Sequence, residues 1–126
     1  MEEIFDGDVA MAGSADLIPV PSGQPVVLQD VVWNVIGSQG FTLRFRFVAP
    51  EIRSGGSVDF DTAVADMQVL CADFARARVT GFGGAPQQII ISMAEKPVVF
   101  GETLPDVVQF FEAFRIVGDT CIWEIY

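Results

Sequence analysis

The alternation of apolar and polar residues is clearest over residues 41–48. The apolar positions there are Phe41, Leu43, Phe45 and Phe47, and Thr42, Arg44 and Arg46 lie between them. This period of two is that of a strand with one buried face. Pro25 to Val35 is rich in valine, and two glycines interrupt residues 36–40. The two segments therefore predict a hairpin.

The period changes over residues 60–78. Apolar residues recur there at spacings of three and four, namely Phe60, Val64, Met67, Cys71 and Phe74, with Ala63 and Leu70 widening the stripe. This pattern predicts one long amphipathic helix with Cys71 on its buried face. Asp59 or Asp61 is placed to cap the first turn, and Arg76 and Arg78 suit the last turn.

The C-terminal part contains further strand signals. Gln87 to Met93 is β-branched and predicts an interior strand. Residues 103–114 are ambiguous: Thr103 and Asp106 would form the capping box of a helix, whereas the aromatic and β-branched content favours a strand. We favour the strand. Gly118-Asp119 then predicts a two-residue turn into a last strand over residues 120–126.

These elements sum to about five strands and one long helix. The prediction is an α+β two-layer sandwich with a mostly antiparallel sheet. Residues 1–16 are small, acidic and aperiodic, which indicates a flexible N-terminal tail. Residues 17–126 then form a single domain, in keeping with a chain of 126 residues.

Composition excludes several classes of function. The chain has 17 acidic against 7 basic residues, so nucleic acid and anionic membrane surfaces are poor partners. No apolar run in the sequence is long enough to predict membrane insertion. Histidine is absent, which removes the commonest general base and transition-metal ligand. No motif implies a cofactor or a metal.

Two cysteines, Cys71 and Cys121, lie fifty positions apart without a CxxC motif. They are either two buried thiols or one disulfide, and the spacing does not choose between them. The acidic N-terminus lacks the features of a secretory signal. As written, the chain is therefore cytoplasmic, or a signal has been removed from it.

Acidic residues are the first candidates for chemistry. Asp59, Asp61 and Asp66 suggest either a hard-cation site or, as we favour, ordinary helix capping. Glu112 lies in an apolar row of the predicted strand, where a buried carboxylate would serve as a general acid. Glu124 is the second carboxylate that a hydrolase would need within about 5–10 Å. A salt bridge from Glu112 to a nearby arginine is the structural alternative.

Binding candidates are Arg44 and Arg46, which share a strand face and would grip an anion, and Trp123. In so acidic a chain we expect the arginines to neutralise carboxylates on neighbouring strands instead. An apolar ligand pocket between helix and sheet would be lined by Phe45, Phe47, Met67, Phe74 and Trp123. The residues Lys96–Glu102 and Thr80–Pro86 are candidate docking surfaces.

Several segments of the sequence together resemble those of a known protein family. The segments PSGQPVVLQDVVWN, FTLRFRFVAPEI, ADMQVLCADFA, IIISMAEKPVVFGE, QFFEAFRI and CIWEIY resemble a family of small proteins of unknown function from Rhodobacter- and Roseobacter-type alphaproteobacteria. The members look like exported proteins with two cysteines. The resemblance therefore implies a periplasmic domain in which Cys71 and Cys121 are joined. It implies no activity and no catalytic residues.

The sequence as a whole favours a non-catalytic accessory domain that binds a protein partner. A carrier of a small apolar ligand is the first alternative, and a hydrolase using Glu112 and Glu124 is the second. The last strand also allows an edge-to-edge homodimer.

Overall fold

A computed structural model of the chain describes residues 7–35, 40–102 and 104–124. These residues contain one six-stranded sheet whose strands follow the chain order. The strands are β1 (Gly7–Ala12), β2 (Val27–Val35), β3 (Phe41–Val48), β4 (Gln88–Ala94), β5 (Gln109–Val117) and β6 (Thr120–Glu124). Every neighbouring pair is antiparallel except β3 and β4, which are parallel. The predicted α+β fold is confirmed, with six strands instead of about five.

The crossover between β3 and β4 contains one long helix, α1, over residues 60–82. It consists of an α segment (Phe60–Val69), a π segment (Leu70–Ala75), one α turn (Arg76–Arg78) and a 3₁₀ turn (Val79–Phe82). Asp59 caps its first turn by accepting a hydrogen bond from the Thr62 backbone N–H at 2.9 Å. The helix prediction is confirmed. The wider π turn re-aims the side chains that follow it, and Cys71 lies within this turn.

The core lies between α1 and one face of the sheet. Its fully buried sheet residues include Leu43, Phe45 and Phe47 of β3, Ile89, Ile91 and Met93 of β4, Val31 of β2 and Phe114 of β5. Ala63, Met67 and Leu70 bury the facing stripe of the helix. Burial of each large apolar side chain contributes about 1.5–3 kcal/mol. The alternation read from residues 41–48 is thus the alternation between helix-facing and outward-facing positions.

The N-terminal segment differs from the predicted tail. Gly7–Ala12 forms β1, which pairs antiparallel with β2 along the edge of the sheet. Ser14 then donates its backbone N–H to the Leu28 carbonyl at 3.0 Å. Gly13 permits this approach, because a Cβ there would overlap the carbonyl oxygens of Leu28 and Gln29. Main-chain pairing of this kind needs no apolar periodicity, which is why the sequence pattern did not reveal it.

The C-terminal part of the ambiguous stretch over residues 103–114 forms a strand, as predicted, but the strand begins several residues after the start of the stretch. β5 begins at Gln109, and residues 104–108 form turns and irregular backbone instead of a helix. The proposed capping residue Thr103 lies outside the described residues, as do the predicted turn residues 36–39 and the last two residues. The two-residue turn at Gly118-Asp119 is confirmed, since Val117 pairs with Thr120.

Candidate functional site

The two carboxylates of the hydrolase hypothesis lie on opposite faces of the sheet. Glu112 shares the helix-facing row of β5 with Phe110 and Phe114, as predicted. Its Oε1 accepts a hydrogen bond from the indole N–H of Trp123. Glu124 pairs with Ala113 in the register of β5 and β6, so its side chain projects from the other face. The paired-carboxylate arrangement is therefore not formed, because the sheet itself separates the two groups.

Glu124 belongs to a polar row that crosses three strands on the outer face. Its two carboxylate oxygens accept hydrogen bonds from Gln88 Nε2 at 3.1 Å and from Arg115 Nε at 2.9 Å. The Gln88 hydrogen bond, followed by that of Arg115, holds the pKa of Glu124 below its ordinary value. A carboxylate satisfied in this way remains ionised and is poorly suited to act as a general acid.

The two candidate arginines of β3 have partners within the protein. Arg46 forms a bidentate pair with Asp30 on β2, with distances of 2.7 and 3.0 Å from its Nε and Nη2. The guanidinium of Arg46 also lies 5.3 Å from the Phe100 ring centroid. Arg44 lies 5.9 Å from the ring centroid of Phe111. The expected neutralisation across strands is what Arg46 does, so it does not grip an external anion.

The three aspartates near the start of α1 do not converge. Asp59 caps the helix, where the backbone N–H of Thr62 lowers the pKa of its carboxyl group, and Asp61 is exposed. Asp66 is fully buried and points the other way, into the turn that precedes β2. It accepts hydrogen bonds from the Ser22 backbone N–H and hydroxyl and from Gln24 Nε2. Across the described ranges, no group of three metal-ligating side chains comes together.

The predicted pocket between helix and sheet is filled by the core. Phe45, Phe47 and Met67 are completely buried within it, and Trp123, which is half-exposed on the edge strand, does not belong to this cluster. A surface groove of about 380 Å³ does reach Phe74, in the π segment of α1. The groove's other apolar lining residues are Met11, Ala12, Leu17, Ile18, Pro19 and Leu28, and Asp16 and Arg78 add one charge of each sign.

The two predicted docking loops are differently placed. In residues 96–102, Val98 is buried and its backbone N–H and carbonyl both bond to the side chain of Gln29. This loop therefore packs back onto β2. In residues 80–86, Thr80, Gly84, Ala85 and Pro86 line a shallow groove of about 300 Å³ together with Val79 and Ile116.

A disulfide joins Cys71 of the π segment to Cys121 of β6. Both residues are buried, and the bond closes a loop with a sequence separation of 50. Gln68 of α1 reinforces the same junction by donating to the Cys121 carbonyl at 3.1 Å. The last strand is thus fastened to the helix as well as to β5.

Exposed apolar side chains concentrate on the β5–β6 hairpin. Eight large apolar residues are exposed among those described, and four of them lie on these two strands. Trp123 is 53% exposed, Val117 49% and Ile122 40%. We call these three residues the hairpin patch; Trp123 lies on the helix-facing side of the hairpin, and Val117 and Ile122 lie on its outer face. Large aromatic side chains are rarely left so exposed without a use, and tryptophan is the residue type most enriched at binding hot spots.

The two edges of the sheet are protected to different degrees. The register of β1 on β2 shifts between Val9 and Met11, a bulge of the kind that discourages pairing with another chain. The register of β6 on β5 runs without a shift from Thr120 to Glu124. β6 also contains neither proline nor lysine. Apart from the Cys121 carbonyl, which Gln68 already occupies, β6 is therefore an edge strand without a bulge, proline or lysine and is flanked by apolar side chains.

Sequence reasoning singled out Trp123 and placed Glu112 on the correct face, but missed two features. The burial of Asp66 was visible in principle, because Asp66 lies three residues after Ala63 and next to Met67 on the buried stripe. The hairpin patch was hidden because Val117 and Ile122 are exposed on the face of the sheet opposite α1, and Trp123 is exposed through the position of β6 at the edge. That position depends on strand order, which the local pattern does not contain.

The features described define an α+β domain with one layer of sheet, one layer of helix and an apolar hairpin at an open edge. No helix in the described part of the chain has the length and apolarity needed to cross a membrane. The model of a family of unknown function, DUF6497, matches residues 5–126, and the chain belongs to this family. No curated protein and no solved structure matches the chain.

Proposed function

We propose that the protein is a non-catalytic binding module that docks onto a partner protein through the hairpin patch. The observation that carries the proposal is the half-exposed Trp123 on an edge strand without a bulge, proline or lysine. The disulfide and the Gln68 hydrogen bond hold this strand in place before binding. Such preorganisation reduces the entropy lost on association.

The chemistry of the chain supports binding in preference to catalysis. Histidine is absent, and the carboxylates proposed for hydrolysis are separated by the sheet. Arg46 is occupied by Asp30. The disulfide supports an oxidising compartment such as the periplasm as the place of action, since thiols in the cytosol are kept reduced.

Variants of the exposed residues test the docking function. The immobilised protein, with its disulfide intact, is incubated with an extract of its native cells, and captured proteins are quantified by mass spectrometry. Trp123→Ala should lower the recovery of one stoichiometric partner by about tenfold or more, as for other hot-spot residues. Val99→Ala is the matched control, because Val99 is 66% exposed but lies outside the hairpin patch. Equal recovery by the wild type and Trp123→Ala would refute the docking function.

The surface groove supports a second candidate, a carrier of a small apolar ligand. Its volume of about 380 Å³ lies within the range of ligand sites. Its charges of opposite sign leave the apolar walls to supply the affinity. A fluorescent naphthylamine probe should bind to the wild type and to Val99→Asp but not to Leu17→Asp. Equal binding to both variants would exclude this groove as the site.

A further inference from the structure

The main chain of Trp123 faces the same open edge as the hairpin patch. In a two-residue hairpin the residues that flank the turn, here Val117 and Thr120, form a hydrogen-bonded pair. Because pairing alternates along an antiparallel ladder, the backbone groups of Cys121 and Trp123 then point away from β5. Gln68 already bonds to the Cys121 carbonyl. The N–H and carbonyl of Trp123, together with the N–H of Cys121, are therefore the groups that β6 presents to an incoming strand.

The charged residues around this edge indicate the charge of the segment that would bind there. The β5–β6 hairpin carries four charged residues in its described length: Glu112, Asp119 and Glu124 are acidic, and Arg115 is basic. Arg115 is itself bonded to Glu124. The whole chain has a net charge of −10. A second copy of this chain would place the same acidic groups against each other, whereas a basic segment would meet charges of opposite sign.

We infer that β6 binds an extended, basic segment of the partner protein by strand addition, with the incoming backbone paired to the main chain of Trp123. This inference rests on the proposed docking function and specifies its mode and the partner's chemistry. Apolar side chains of the added strand would lie beside Trp123 on one face and Ile122 on the other. Lysine or arginine at its flanks would meet Glu112 and Glu124. Main-chain hydrogen bonds supply affinity in this mode of recognition, and the flanking side chains supply specificity.

Capped peptides test the inference on the full disulfide-bonded protein by NMR titration. The probe is a peptide of alternating valine and lysine. It should shift the backbone resonances of residues 120–124 and slow the hydrogen exchange of the Trp123 amide by about tenfold or more. The matched controls are the same peptide with lysine replaced by glutamate and the same peptide with alternate backbone nitrogens methylated. Both should bind at least about tenfold more weakly.

The outcomes separate the mode of binding from the docking function. Equal affinity of the methylated peptide, or no shift of residues 120–124 at about millimolar peptide, would overturn strand addition. Loss of partner capture by Trp123→Ala would still support the docking function in that case. A concentration-dependent dimer in light scattering that Trp123→Ala abolishes would overturn the assignment of the occupant, since a second copy would then cover the edge.

Discussion

The buried carboxylate of Asp66 accepts a hydrogen bond from the side-chain amide of Gln24 at 2.7 Å. The same carboxylate accepts two hydrogen bonds from Ser22, so three donors from one turn converge on it. Asp66 therefore fastens the turn before β2 to the middle of α1, across a sequence separation of more than forty residues. It serves the fold, because its oxygens are occupied by groups of the chain itself.

Replacement of Asp66 by alanine should strongly destabilise the protein. The substitution leaves the buried amide of Gln24 and the part-buried donors of Ser22 without their acceptor, and a buried group left in this way costs about 1–3 kcal/mol. We expect a loss of about 3 kcal/mol or more in the free energy of unfolding, measured by urea denaturation. Asp61→Ala is the control on the same helix, because Asp61 is exposed. Similar losses for the two variants would show that Asp66 is not the anchor described here.

The ion pair between Arg46 and Asp30 should behave as a buried pair. Both side chains are nearly enclosed, with exposures of 10% and 14%. Arg46→Met leaves the Asp30 carboxylate buried without its cation, which costs about 3–5 kcal/mol in comparable pairs. The double variant Arg46→Met/Asp30→Val should recover much of that loss. Thermal and urea unfolding of the two single variants and the double variant measure the coupling.

An exposed ion pair provides the comparison for the double-mutant cycle of Arg46 and Asp30. Arg53 and Glu51 are bonded at 3.1 Å, but Arg53 is 49% exposed. Arg53→Met should therefore change stability far less than Arg46→Met, since water screens an exposed pair. Additive effects of the Arg46 and Asp30 substitutions would contradict a direct interaction between them.

The parts of the fold that the sequence predicted are those with a local periodic signal. The alternation in β3 and the three-and-four spacing in α1 are both properties of neighbouring residues, and each reports a buried face. β1 has no such signal, because its backbone pairing with β2 is what holds it in the sheet. The separation of Glu112 from Glu124 follows from the register of β5 on β6, which depends on the length of one turn.

The candidate site shows the same limit. Trp123 stood out by its residue type, but its exposure follows from β6 being last in the order of the sheet. Arg44 and Arg46 share a face as the alternation predicted. Their partners, however, come from other elements, Asp30 from β2 and Phe111 from β5. Contacts between elements are decided by topology, and a single sequence carries that information only weakly.

The disulfide should contribute substantially to stability. Constraint of the unfolded chain by a loop of this length is worth about 4 kcal/mol in the chain-entropy model. Thiol titration of the denatured, unreduced protein should detect no free thiol, and a reductant should lower the melting temperature. The double variant Cys71→Ala/Cys121→Ala should start from a lower melting temperature and show no response to the reductant. Detection of two thiols per chain would contradict the bond.

The stability of the protein should fall in acid, in part through Glu124. Its pKa in the folded protein lies below the ordinary value of 4.5, first because of Gln88 and then because of Arg115. A depressed pKa stabilises the folded state fully above the unfolded value, and this stabilisation is lost as the pH falls through the folded value. Glu124→Gln should therefore be less stable than the wild type at pH 7, and the difference should vanish as the pH falls through the folded-state pKa of Glu124.

The carboxyl resonance of Glu124 measures that pKa directly in an NMR pH titration. The wild type should titrate with a midpoint below 4.5, and Gln88→Ala should move the midpoint upward because it removes the larger of the two hydrogen-bond contributions. Glu51 and Asp59 also have lowered pKa values and contribute acid sensitivity that Glu124→Gln leaves in place. The comparison between variants isolates the share of Glu124. A midpoint at or above 4.5 in the wild type would mean that the hydrogen bonds from Gln88 and Arg115 to the Glu124 carboxylate are not formed in solution.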